Sequence, residues 1–95
     1  MTAAEILTMT KLNLEIPASN TLFDEYILNL IGAAEQMISR EGIILTDTVE
    51  DGNIVTMYAA YLYRKRANDT PVMPRMLRYA LNNRLFSQKA SVNNA

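Results

Sequence analysis

The stretch Asn53–Arg66, NIVTMYAAYLYRKR, constrains the fold most strongly. From Ile54 to Tyr63 only Thr56 is strongly polar, and no polar face recurs at helical spacing before Arg64. A helix that is apolar all round is a buried helix. This run falls well short of the roughly 20 apolar residues that cross a bilayer. It therefore reads as the buried central helix, about residues 53–66, of a small domain with other helices around it. Its abrupt basic end, Arg64-Lys65-Arg66, marks where the chain leaves the core.

The rest of the chain supplies the surrounding helices. Thr2 followed by Glu5 fits a capping box, in which hydroxyl and carboxylate each bond the other residue's backbone N–H. It opens a first helix to about Leu12, peripheral because Ile6, Leu7 and Met9 are its few apolar positions. Lys11–Ile16 alternates in polarity, as a short extended piece does. From Leu22 to Arg40 the residues Phe23, Tyr26, Ile27, Leu30, Ile31, Ala34, Met37 and Ile38 recur at i, i+3, i+4, i+7 spacing, a clear amphipathic helix. Asp24 and Glu25 in its first turn and Arg40 in its last suit the helix dipole. Gly42 is placed for a left-handed cap. Gly32, inside the helix, costs about 1 kcal/mol relative to Ala, an expense that close approach of another helix would offset.

Ile43-Ile44-Leu45 reads as an apolar connection, packed over the core or added as a strand at a partner's edge. Asp47 with Glu50, or Asp51 alone, is expected to start the central helix. A turn from Ala67 to Met73 carries Asn68, Asp69 and Pro71. Pro74 suits the first position of a last helix, where its missing N–H is not needed. Met76, Leu77, Ala80, Leu81 and Leu85 would form that helix's inner stripe, and Arg75, Arg78 and Asn82 an outward line. The expectation is an all-α bundle of about four helices, one domain over residues 1–88 and a flexible tail over 89–95. Its core would include Phe23, Ile27, Leu30, Ile31, Met57, Tyr58, Tyr61, Leu62, Leu77 and Leu81.

Composition narrows the chemistry. The 95 residues contain no Cys and no His, which removes the thiolate nucleophile, the commonest metal ligand and the usual neutral-pH base. The expectation is no enzyme, no metal and no cofactor. The pairs Asp24-Glu25 and Glu50-Asp51 are adjacent, and adjacent residues on a helix do not face each other. They read as dipole complements. Three Gly residues form no phosphate loop. Tyr58, Tyr61 and Tyr63 read as packing rather than as a base-stacking platform. The start, MTAAEIL, lacks the basic residues and long apolar run of a secretory signal, so synthesis and use in the cytosol, or in something assembled there, is expected.

Net charge is −1, unevenly spread. Residues 1–51 hold nine acids and two bases, a net −7, and residues 52–95 one acid and seven bases, a net +6. Three readings follow: neutralisation within the monomer, an acidic face that meets a neighbour's basic face, or a basic face that meets nucleic acid. The last set, Arg64, Lys65, Arg66, Arg75, Arg78 and Arg84, invites comparison with a helix-turn-helix. Asn68–Pro74 is longer than the usual three or four residues of that turn, and a pI near 5.3 is far from basic.

The run MYAAYLYRKR followed by MPRMLRYALNNRLF, with the helix LFDEYILNLIGAAEQMISREGI before it, resembles tailed-phage and prophage head–tail connector proteins. These are small all-helical adaptors of the head-completion complex. The resemblance covers roughly residues 5–88 and is most specific over Tyr58–Phe86. It implies a homo-oligomeric ring of about twelve subunits beneath the portal protein. That ring extends the channel through which DNA passes and receives the stopper or tail-completion protein. The implied place is the virion head–tail interface, reached from the host cytoplasm, with no membrane and no sequence-specific DNA binding. The charge split fits a head-to-tail ring, with Asp24, Glu25, Glu35, Glu50 and Asp51 as the acidic partner face. The basic set would then line a subunit or portal interface, or the channel. The alternative is a small DNA-binding regulator using the basic second half.

Overall fold

A computed structural model describes the backbone of residues 1–66 and 72–93. Four helices follow in order: α1 (Ala3–Asn13), α2 (Asp24–Arg40), α3 (Val49–Lys65) and α4 (Arg75–Asn93), and no strand occurs among the described residues. The expected all-α bundle with a central third helix is the observed architecture. α3 packs against each of the other three, α1 also meets α2, and α4 rests mainly on α3.

The core is where the four apolar stripes meet. Ile6 of α1, Ile27, Ile31, Ala34 and Ile38 of α2, Ile54, Val55, Tyr58 and Ala59 of α3, and Leu77 and Leu81 of α4 are buried together, with Ile43 of the connection. Burying a Leu- or Ile-sized side chain contributes about 1.5–3 kcal/mol, so this cluster is the main source of stability. Of the expected core, Phe23, Leu30, Met57, Tyr61 and Leu62 are only half-buried. For Met57 and Tyr61 the reason is geometric: three helices around a fourth leave one side open. Asn53, Met57, Tyr61 and Arg64 lie along that open side at i, i+4, i+8, i+11, running from exposed through half-buried to exposed.

Local chemistry explains the helix ends. The Thr2–Glu5 capping box forms as expected. The extended piece expected over Lys11–Ile16 does not. α1 runs on to Asn13 and closes with a left-handed residue, Glu15 (φ 60°). The Glu15 N–H donates to Leu12 O (3.1 Å) and the Ile16 N–H to Lys11 O (2.9 Å), the paired bonds of a Schellman end. No glycine announced it. Gly42 is the left-handed cap of α2 (φ 97°). Gly32 has no close neighbour: a Cβ there would meet nothing within 4 Å, so the expected helix approach is absent within the monomer. Gly52 is the close-approach glycine, because a Cβ there would collide with Met1.

Neither Asp47 nor Asp51 caps α3. Thr48 does, its hydroxyl accepting from the Asp51 N–H at 3.2 Å, and the helix begins at Val49, earlier than the expected residue 53. The turn read over Ala67–Met73 falls mostly outside the described residues. Pro74 immediately precedes α4, its carbonyl accepting from the Arg78 N–H. The inner stripe of α4 is Leu77 and Leu81 with Ala80 and Leu85 half-buried, but Met76 points to solvent. The last residues, read as a tail from 89, stay helical to Asn93. No Pro or Gly interrupts them, and Gln88 Nε2 ties the helix to Gly42 O at 2.7 Å.

Candidate functional site

Arg64, Lys65, Arg66, Arg75, Arg78 and Arg84, six of the seven basic residues of the second half, do not form one face. Arg84, on the inner side of α4, reaches Asp51 in the first turn of α3. Its Nε donates to Oδ1 at 2.6 Å and its Nη2 to Oδ2 at 3.1 Å, and Nη2 also donates to Ile44 O at 2.8 Å. Asp51 is 1% exposed and takes two further bonds, from the Thr46 N–H (2.7 Å) and hydroxyl (2.8 Å). Burial pushes the Asp51 carboxyl up, but the bonds from Arg84 and Thr46 outweigh it and hold the group below the ordinary Asp value. The same pair raises the Arg84 guanidinium above its usual range. A fully bonded buried carboxylate is a structural lock rather than a proton donor.

Arg78 binds Glu41, at the end of α2, with both terminal nitrogens (2.9 and 3.0 Å) and touches Asn82 at 3.3 Å. The Glu41 hydrogen bonds raise the Arg78 pKa. The outward line Arg75, Arg78, Asn82 is therefore broken at its middle, where the fork geometry of Arg matches a carboxylate two-pronged. Arg64 donates to Asn13 O at 2.9 Å, at the negative end of α1. The Arg66 guanidinium carbon stands 4.6, 5.2 and 5.4 Å from the ring centres of Tyr63, Tyr26 and Phe23, a cation–π arrangement. Lys65 lies 6.0 Å from the Tyr61 ring. Arg75 is exposed, as is Lys89, and neither makes an ion pair among the described residues.

The expected acidic face divides in the same way. Asp51 is consumed by Arg84. Asp24 is half-buried against Lys11, with 2.9 Å between Oδ1 and Nζ but no hydrogen-bond geometry, so that contact is coulombic. Glu25, Glu35 and Glu50 remain exposed. Two groups that the sequence reading passed over matter here. Lys11 is buried in α1, donating to the carbonyls of Ala18 (3.2 Å) and Asn20 (2.8 Å), and so shapes the loop into α2. Glu41 is the acceptor that holds α4 to the end of α2. The signal for Lys11 was its isolation, as one of two bases among nine acids.

Tyr58 sits deep between helices, and burial, then the Glu41 charge, push its phenol above the ordinary value. It is held as the neutral form, which suits packing. Among the described residues no group of three or more Asp and Glu stands close enough to hold a metal ion, and no helix is long and apolar enough to cross a membrane. What the surface does offer is apolar area on α4: Met76, Tyr79 and Phe86 are 76%, 58% and 77% exposed, and Val72 precedes them, exposed as well. On the loop before α3, Ile44 is exposed too. In comparison with known proteins, no family model matches this chain, and neither a curated protein nor a solved structure matches it.

Proposed function

We propose that this chain is a structural adaptor of a phage head–tail connector, a subunit of a ring beneath the portal that extends the DNA channel and receives the stopper or tail. The observation that carries the reading is the exposed apolar side of α4. Large apolar residues are exposed at several places, but α4 gathers three that are more than half exposed, Met76, Tyr79 and Phe86, where each other helix has one at most among the described residues. Contiguous exposed apolar patches mark interaction sites. The resemblance of residues 5–88 to connector proteins supports an assembly of that kind. The role needs no catalytic group, only a rigid body with separate contact faces.

A DNA-binding regulator would draw on the same arginines, and Arg78 and Arg84 are already engaged by Glu41 and Asp51. The distinguishing experiment has two arms. Light scattering of the chain alone and mixed with portal protein should give a mass increase on mixing. Titration with duplex DNA across salt should give weak, sequence-blind binding that fades as salt rises. Sequence-specific nanomolar binding at physiological salt, with no portal engagement, would overturn the adaptor reading.

A further inference from the structure

α4 has two faces of different chemistry. Its inner face buries Leu77 and Leu81, sends Arg84 to Asp51 of α3 and to Ile44 O, and Gln88 to Gly42 O of the loop before α3. Its outer face carries Met76, Tyr79 and Phe86, which fall on one stripe at 3.6 residues per turn. Arg75 and Lys89 line one flank of that stripe. Both are exposed and without an ion-pair partner among the described residues. The helix contains no acid at all.

α2 presents the complement. Its inner face is Ile27, Ile31, Ala34 and Ile38. The side turned away from it carries Glu25, Leu28 and Gly32, with Glu35 at its edge toward α1, the two acids again exposed and unpaired among the described residues. Gly32 is the telling residue. A glycine inside a helix is unfavourable, and nothing in this monomer needs it, since a Cβ there would stand in open space. A backbone passing closely from outside would need it. The two helices also match in length, 17 and 19 residues, and Glu25–Glu35 and Arg75–Lys89 span about 15 and 21 Å along their axes.

We infer that α4 of one copy lies across the outer face of α2 of the next copy. Tyr79 and Phe86 cover Leu28 and Gly32, and Arg75 and Lys89 meet Glu25 and Glu35. The contact uses two different faces of the same chain, so it is heterologous and repeats head to tail. The occupant is a second copy because one chain carries both the basic apolar stripe and the acidic notched face that suits it. A nucleic acid would take the cationic flank but has no use for Met76 and Phe86. The inference rests on the adaptor reading for why copies assemble, whereas the faces are argued from the monomer alone.

Charge exchange tests it. One variant carries Glu25→Lys with Glu35→Lys, a second Arg75→Glu with Lys89→Glu, a third all four changes, and a fourth Phe86→Glu. All these positions are exposed, so each variant should keep the wild-type circular dichroism. Sedimentation at low ionic strength should show the wild type associating. Either double reversal should move the association midpoint about tenfold or more to higher concentration, as expected when opposite charges at a contact become like charges. The four-change variant, and an equimolar mixture of the two doubles, should recover it, and Phe86→Glu should lose it. The chain has no Cys, so Gly32→Cys with Phe86→Cys under oxidation should give a ladder of covalent multimers, while either cysteine alone should not.

A wild type that stays monomeric with no ladder overturns the inference. So does assembly indifferent to both reversals, or equal cross-linking by each single cysteine. Ladder and charge rescue without portal binding would leave this contact standing and remove the adaptor reading. Portal binding with neither would do the reverse.

Discussion

Replacing Asp51 with Asn should remove a large share of this domain's stability. The carboxylate is 1% exposed and holds four bonds, two from Arg84 and two from Thr46. Asn keeps the shape but cancels the charge and turns an N–H pair toward groups that are themselves donors. Breaking a buried ion pair by removing one partner costs about 3–5 kcal/mol, against a total of about 5–14 kcal/mol for a chain of this length. Arg84→Met should cost at least as much, about 3–5 kcal/mol, because it leaves the 1%-exposed Asp51 carboxylate without its counter-charge. The double variant should lose less than the sum, with a coupling of about 2 kcal/mol. The pH dependence has a definite sign. The folded Asp51 value lies below its unfolded value of about 3.9, so the pair's contribution is complete above that pH and is lost as pH falls through the folded value. Urea unfolding followed by circular dichroism, at neutral pH and in steps below pH 4, measures all of this. Single losses that add within about 0.5 kcal/mol, or a wild type to Asn difference that does not shrink in acid, would refute the argument that this pair locks α4 and the 43–48 loop to α3.

Three further outcomes follow from burial and backbone geometry. Leu81→Ala, at a fully buried position of α4, should cost about 2–5 kcal/mol and lower the thermal midpoint without changing the native spectrum. Ala59→Asp should abolish the cooperative transition, because it buries an unpaired charge; Tyr61→Asp, at a half-buried position on the open side of α3, should be destabilised yet still fold, and equal effects would contradict that open side. Gly32→Ala should raise monomer stability by about 1 kcal/mol, since its Cβ meets nothing, whereas Gly42→Ala, at φ 97°, should lower it by about 1 kcal/mol. Chemical denaturation of the pair gives opposite signs if the two glycines differ as described.

The helices and their inward residues were legible in the chain because they follow from local rules. Periodicity placed Ile27, Ile31 and Ile38 on one face of α2, the Thr2–Glu5 box opened α1, and the apolar run after Asn53 put α3 in the middle. A helix's inner face is a property of its own sequence. What the neighbours leave uncovered is not, so the half-buried positions of Met57, Tyr61 and Leu62 and the exposure of Met76 depended on how four helices meet.

Charge was decided the same way. Nine acids before residue 52 and seven bases after it are plain in the sequence, but the sequence does not say which acid meets which base. Only the fold brings Asp51 to Arg84 across 33 positions and Glu41 to Arg78 across 37, taking two arginines inside the monomer and leaving Arg75 and Lys89 outside. The physical reason is range. Caps and periodicity act over three or four residues, where spacing along the chain is spacing in space, while ion pairs between helices act over a few ångströms that only tertiary packing creates.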